Sequence, residues 1–419
     1  MKNTGPILAE IETFLEDHER DIIDFACKLV ATPSENPPGD ESAIAEVITA
    51  KAVELGLPEP RVVAREPHRP NLVFEIMGDE TGPRLMYNGH IDTKPVGDLS
   101  KWNTDPLNPV IKDGFLYGLG ASDMKGGVAA LLYAAAAIAR VQDKLKGSLL
   151  LVLTGDEEAG GAYGAEYLAK NDYIHADIGL IAEGCGIREE WEYLNLISRG
   201  ETCFKIKVYG TQMHSSVCDV LPSVNASLKM AEVMLKLAKE LKFRYEPHPL
   251  CPQGVTMGVA TVVNSGVYYG VLPGYAEFGT DVRTLPGMTR EAMEEDIRGF
   301  VERLRLEDPT LEIDYEFEPL PLGWIETVVV PEDHPFVDAL KVSAGNVLGK
   351  VPQLGAYPAW TDARFFQHVA GVPTIPAFGP GLLTVAHGPN ERVLVESIVK
   401  ASRIYALSGA RYLSMSKDG

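Results

Sequence analysis

The sequence predicts an α/β fold, with a mixed, largely parallel central sheet flanked by helices and an inserted α+β domain of ferredoxin-like build. Strand-like apolar runs (NLVFEIMG, RLMYNG, SLLLVLTG, IGLIA) alternate with helical ones such as MKGGVAALLYAAAAIARVQ and GAEYLAKN. That alternation is the mark of strands joined by crossover helices. Near residue 200 the character changes: CFKIKVYG, GVATVVNSG and YAEFGTDVRT read as strands, with one helix over 223–242 and a second in TREAMEEDIRGFVERLRLE. Helices on one face of an antiparallel sheet are expected there. A length of 419 residues fits two domains.

The elements follow in order. Leu8, Ile11, Leu15, Ile22, Ile23, Phe25 and Ala26 repeat at helical spacing over residues 7–31, and TPSENPPGDE then breaks the helix. A second helix over 43–54 precedes the strands VVAR, NLVFEIMG and RLMYNGHID. Beyond the insert, residues 336–349, VPTIPAFG and 391–413 supply helix, strand and helix, which makes the first domain discontinuous. The expected boundaries are 1–199 with 310–419 for that domain and 200–309 for the insert.

Composition narrows the function. Lys plus Arg total 38 against 59 Asp plus Glu, and a formal charge of −21 disfavours nucleic acid and anionic membranes as partners. Five cysteines without CxxC spacing suggest neither a disulfide framework nor a zinc ribbon, and a cytoplasmic location is expected. The acid-rich N-terminus does not read as a signal peptide, and no run of about 18 apolar residues follows.

Open α/β sheets place their sites beyond the carboxyl ends of strands. RLMYNG runs into His90 and Asp92, LLLVLTG into Asp156, Glu157 and Glu158, IGLIA into Glu183, and Asp123 precedes the Ala-rich helix. Residues two apart on an extended chain share a side, so Asp92 is placed to accept a hydrogen bond from His90 while the other ring nitrogen faces a metal. Adjacent glutamates diverge, leaving one for metal and one to activate water. Asp123, with two oxygens, suits a bridge between cations roughly 3.5–4 Å apart. Gly118 and Gly120 hint instead at a dinucleotide-binding turn, but position 123 is Asp where that motif needs Gly, and FLYG is short for its first strand.

GHIDTKPVGDLSKWNTDPLNPVIKDGFLYGLGASDMKGGVAALLYA, LTGDEEAGG, IAEG and AHGPNE resemble, in order and spacing, the motifs of the M20 metallopeptidases. That group holds acetylornithine deacetylase, succinyl-diaminopimelate desuccinylase, aminoacylase and glutamate carboxypeptidase. The resemblance implies a zinc-peptidase-like catalytic domain and an insert acting as lid and dimerisation domain, hence a homodimer. It implies two divalent cations, Zn²⁺ first, with Co²⁺ or Mn²⁺ as alternatives. His90 and Glu183 would complete one site, Glu158 and His387 the other, and Asp123 would bridge them. Glu157 would be the general base and Asp92 would orient His90. His214, in GTQMHSS, would stabilise the oxyanion in the partner subunit's site, and Arg283 and Arg364 would bind a substrate carboxylate.

The implied activity is hydrolysis of an N-acyl amino acid or related small amide. A dipeptidase or carboxypeptidase, or a hydrolase of an unusual aromatic amide suggested by VNSGVYYG, is the alternative. A non-catalytic binder would have lost Glu157 or a ligand, and neither is lost. Departures from the family pattern lie elsewhere. Gly270 stands where many members carry Asn, which puts the usual carboxylate contact in doubt, and Ser223 replaces a Gly. GCG follows Glu183 in place of Pro-Thr or Pro-Ser, and Glu183 itself argues against the allantoate and carbamoyl amidohydrolase branch, which has His there.

Overall fold

The computed structural model describes residues 4–79 and 81–416; the outermost residues of the expected first domain, 1–3 and 417–419, lie outside it. The chain divides into two compact units. The larger comprises Met1–Ser198, Val328–Tyr357 and Thr361–Gly419, and the smaller Arg199–Thr327 with Pro358–Trp360.

In the larger unit a six-stranded sheet runs in the order Arg61–Ala64, Pro70–Ile76, Ser148–Thr154, Arg84–His90, Ile178–Ile181, Thr374–Ile375. The first two pairings are antiparallel and the rest parallel, so the sheet is mixed as expected. Its inner strands are buried along nearly their whole length, which is why they read as continuous apolar runs. The register pairs His90 with Thr154 and Asn88 with Ile181, so the three inner strands end together at one edge. Asn88 is tolerated within this apolar layer because its amide donates to the Val152 carbonyl at 3.0 Å and to Thr154 Oγ1 at 3.2 Å.

The Gly126–Ala139 helix is buried on every side, which suits its alanines: they give no outward polar face and allow close approach to the Val395–Leu413 helix. Tyr87 ties strand to helix through a hydrogen bond to the Tyr405 carbonyl at 2.7 Å. The first helix expected over 7–31 is two, Gly5–Asp17 and Glu19–Val30, parted at His18. A second sheet, in which Tyr193–Ser198 lies between Val328–Val329 and Gln353–Tyr357, escaped the sequence reading.

In the smaller unit the strands Gly200–Tyr209, Thr256–Ser265, Tyr275–Thr284 and Glu312–Phe317 form an antiparallel sheet. The second of these is at one edge, followed by the third, the first and the fourth. With the helices Ala226–Glu240 and Arg290–Glu307 this is the ferredoxin-like order. Alternation along Gly200–Tyr209 sends Phe204, Ile206 and Val208 into the core with Met230, Val233, Ile297 and Phe300. The sequence reading ended the insert at 309; the unit runs on to Thr327 because the Glu312–Phe317 strand pairs with Gly200–Tyr209. No helix among the described residues is long and apolar enough to cross a membrane.

Candidate metal centre

The parallel register brings the sequence-predicted acids and His90 to one edge. His90 ends the Arg84–His90 strand, and Glu183 follows Ile178–Ile181. Glu157 and Glu158 lie on a 3₁₀ turn, Glu157–Ala159, where successive side chains diverge by about 120°. That turn, rather than the extended chain assumed from sequence, separates the two glutamates.

Asp123 stands between two donor sets. Its Oδ1 lies 2.9 Å from His90 Nε2, which is itself 3.2 Å from Glu183 Oε1. Its Oδ2 lies 3.1 Å from His387 Nε2, which is 3.0 Å from Glu158 Oε2. A tetrahedral shell with metal–ligand bonds of about 2.0 Å sets neighbouring donors roughly 3.3 Å apart, so these separations fit cation sites of oxygen and nitrogen ligands. His90, Glu157 and Glu183 also converge within metal-binding reach.

The electrostatics express too many acids for the cations present. Burial pushes Glu157 well above the ordinary carboxylate range; His90 opposes this, while Asp362, Glu183 and Glu158 add to it. Glu183 is pushed up to about 7 by burial and by Asp123. Burial alone would lower the His90 imidazole, but the Glu183 charge and the bonds to Asp123 and Glu183 hold it well above its usual value. His387 is raised to about 10 by its bonds to Asp123 and Glu158. Asp123 is held low by those histidines despite its burial.

The turns that aim these side chains are fixed by residues far away in sequence. Gly118 and Gly120 have φ of +155° and +77°, and a Cβ would lie 2.3 Å from Val30 Cγ1 at the first and 2.5 Å from Thr93 Cγ2 at the second. Only glycine fits there. The buried Glu391 carboxylate, from the same AHGPNE motif as His387, accepts from the backbone N–H groups of Gly120, Ser122 and Asp123 at 2.8–3.0 Å.

Asp92 differs from expectation. His90 Nδ1 donates to the Asp92 carbonyl oxygen at 3.0 Å, while the nearest Asp92 carboxylate oxygen is 3.6 Å away, too far for a hydrogen bond. The carboxylate accepts instead from the backbone N–H groups of Glu157 and Glu158 and from Asn36 Nδ2. Asp92 thus holds the ring through its main chain and the glutamate turn through its side chain.

Beside it, Asp156 takes a left-handed φ of +65°, a costly conformation for a residue with a side chain. Its carboxylate is held by Arg69 at 2.8 Å, Asn36 at 3.0 Å and the Tyr163 N–H at 2.9 Å, and Arg69 is clamped in turn by Glu41. The sequence reading missed Asn36, Glu41 and Arg69. Two of them lie in TPSENPPGDE, whose prolines and glycine signal only a helix break.

The remaining predicted residues sit elsewhere. Arg364, in the larger unit, is buried, donates to the Gly160 carbonyl at 2.9 Å and stacks on Phe365. In the smaller unit Arg283 grips Asp281 through Nε and Nη2 at 3.1 and 3.0 Å and lies 3.1 Å from Glu201. His214, also in that unit, is exposed, and its Nδ1 accepts from the Ser216 N–H at 3.2 Å. That places the neutral ring's proton on Nε2.

Comparison with known proteins gives the chain a family. The model of peptidase family M20/M25/M40 matches residues 86–408. The chain belongs to that family. As an M20 protein it is a metal-dependent hydrolase of amide bonds. An N-formyl-4-amino-5-aminomethyl-2-methylpyrimidine deformylase of Bacillus subtilis is 27% identical, over 93% of this chain and 94% of that protein. A succinyl-diaminopimelate desuccinylase of Methylobacillus flagellatus is 26% identical, over 92% and 97%. Human carnosine dipeptidase 1 shares the fold with a TM-score of 0.71 at 18% identity, covering 98% of this chain and 99% of that one. An M20 metallo-carboxypeptidase of Sulfolobus solfataricus does so at 0.69 and 20%, covering 94% and 99%.

Proposed function

We propose that this M20 hydrolase is a dinuclear deacylase, releasing a small acyl group from an amine or amino acid. The observation that carries the reading is Asp123, which gives one oxygen to each of two donor sets. His90 and Glu183 would hold one divalent cation and Glu158 and His387 the other, with Zn²⁺ the ion best suited to a mixed carboxylate–imidazole shell. Bound there, the cations would acidify a water and polarise the amide carbonyl. Glu157 accepts the water's proton and returns it to the departing nitrogen; its raised affinity for a proton suits a group that must carry one between the two. His214, acting from a partner subunit with its Nε2–H, supplies the oxyanion donor.

The relatives named deformylase and desuccinylase favour deacylation over peptide hydrolysis. Within deacylation, a substrate lacking a carboxylate is favoured by the capture of Arg283 by Asp281 and Glu201. An aromatic amine portion is favoured by Tyr268 and Tyr269, 80% and 95% exposed beside Gly270. Homodimerisation is supported by the edge strand Thr256–Ser265, whose Val262 and Val263 are half-exposed, and by Leu228 and Leu235 on the Ala226–Glu240 helix. Light scattering reads this directly. Five free cysteines accord with the reducing cytoplasm.

The decisive experiment is a hydrolysis screen after metal reconstitution, using N-formyl, N-acetyl and N-succinyl amines and amino acids beside dipeptides. Release of acyl groups with dipeptides untouched supports the reading. Cleavage of dipeptides alone overturns it.

A further inference from the structure

Lys94 follows the buried run His90–Thr93 and reaches in from the rim of the centre. Its side chain is 35% exposed, against 3% for Glu158. Three contacts join them. The Lys94 backbone N–H donates to Glu158 Oε1 at 3.2 Å, its ammonium stands 3.3 Å from Glu158 Oε2, and the same ammonium donates to the Glu158 carbonyl oxygen. Glu158 Oε2 is also the atom that faces His387. A fixed positive charge on the chain therefore already holds the carboxylate of one donor set. The other set differs: among the described residues Asp123 and Glu183 pair with histidines, not with Lys or Arg.

We propose that Lys94 makes the two cation sites unequal, competing for Glu158 so that the His90–Asp123–Glu183 site fills first and the Asp123–Glu158–His387 site only at higher metal concentration. This rests on the dinuclear reading above. The reasoning is electrostatic. A divalent ion taken up by Glu158 and His387 must displace the ammonium from the carboxylate and then tolerate a like charge a few ångströms away, in a site where water screens poorly. Partial exposure lets the side chain swing outward, and the Glu158 carbonyl remains as an acceptor. The second site is weakened rather than closed.

The test is a titration of the full-length, metal-stripped protein with Zn²⁺, read by calorimetry and by equilibrium dialysis with elemental analysis. The wild type is expected to bind two ions with affinities at least about tenfold apart. Lys94→Met should tighten the weaker site by about tenfold and leave the tighter one within about twofold. Lys94→Arg, which keeps the charge, should behave like the wild type, and Lys94→Gln serves as a second neutral variant should the methionine protein fail to fold. Two ions bound with unchanged affinities in the neutral variants would overturn the proposal and leave the dinuclear centre standing. A weaker second site in those variants would overturn it too, making Lys94 a support for Glu158. Failure of the wild type to bind a second ion at any concentration would sink both.

Discussion

Two clusters of carboxylates, one in each unit, look alike from their ligand atoms and differ in what balances their charge. In the smaller unit Glu201, Cys203 and Asp281 converge closely enough to hold an ion. Arg283 fills that role itself, gripping Asp281 and touching Glu201, and Trp360 Nε1 donates to Glu201 at 2.7 Å. Burial and the bond to Asp281 push Glu201 up to about 7, and the Arg283 guanidinium offsets much of the pair's charge. In the larger unit Asp123, Glu157, Glu158 and Glu183 meet two histidines, with Lys94 only at the rim. Ligand-like geometry is thus common to both. An uncompensated excess of buried negative charge is what marks a cation site, because desolvated carboxylates without cations are costly.

The comparison breaks first at Asp123. Asp123→Ala removes an oxygen from each donor set, so bound metal measured by elemental analysis should fall below one ion per chain and hydrolysis should vanish. Retention of two ions would refute the bridge. Next in size, Glu157→Ala should lower kcat by roughly 10²–10⁴-fold with metal content near normal, since a general base contributes about that much.

The third effect is on stability against pH in the metal-free protein. His387 is raised to about 10, so its contribution is full below its unfolded value near 6.5 and is lost as pH climbs through about 10. Glu183, raised to about 7, also binds protons more tightly when folded, and its contribution fades from about pH 4.5 to 7. Both contributions fall with rising pH, so the apo protein should melt at lower temperature as pH rises from about 5 to about 9. The metal-loaded protein gains over the same range because its ligands must be deprotonated. Melting curves with and without chelator should therefore diverge with pH; parallel curves would mean that these groups bind no metal.

Smallest is the effect at the self-balanced cluster. Arg283→Met strands Asp281 and Glu201 and should cost roughly 1–3 kcal/mol of stability while leaving bound metal unchanged. Loss of metal in that variant would erase the distinction between the clusters.

Most of the centre was legible because its residues sit at the ends of apolar strands, and a parallel register lines those ends up; the pairing of His90 with Thr154 is the observed form of that inference. What the sequence hid were the partners. Asp92 read as a clamp on His90 because only local spacing was visible, yet its carboxylate serves the N–H groups of Glu157 and Glu158, 65 and 66 positions on. Asn36 bridges Asp92 and Asp156, and Glu391 cradles the Asp123 turn from 268 positions away. Lys94 gives no signal in the sequence, because a lone lysine after HIDT has no periodicity of its own. The edge of the small unit was missed for a similar reason: Glu312–Phe317 joins the sheet by pairing across more than a hundred residues of chain, on the order of the whole insert.

By itself the sequence determined what local sterics and solvation impose. Apolar runs of strand and helix period fixed the layers, glycines at 118 and 120 fixed a turn no side chain fits, and the acids and histidines supplied the donor types. Only the tertiary structure decided which charge faces which. Arg283 closes one carboxylate cluster, while the other meets two histidines with Lys94 only at its rim, since a Coulomb interaction depends on distance in space and on local desolvation, and neither is written in the spacing of residues along a chain.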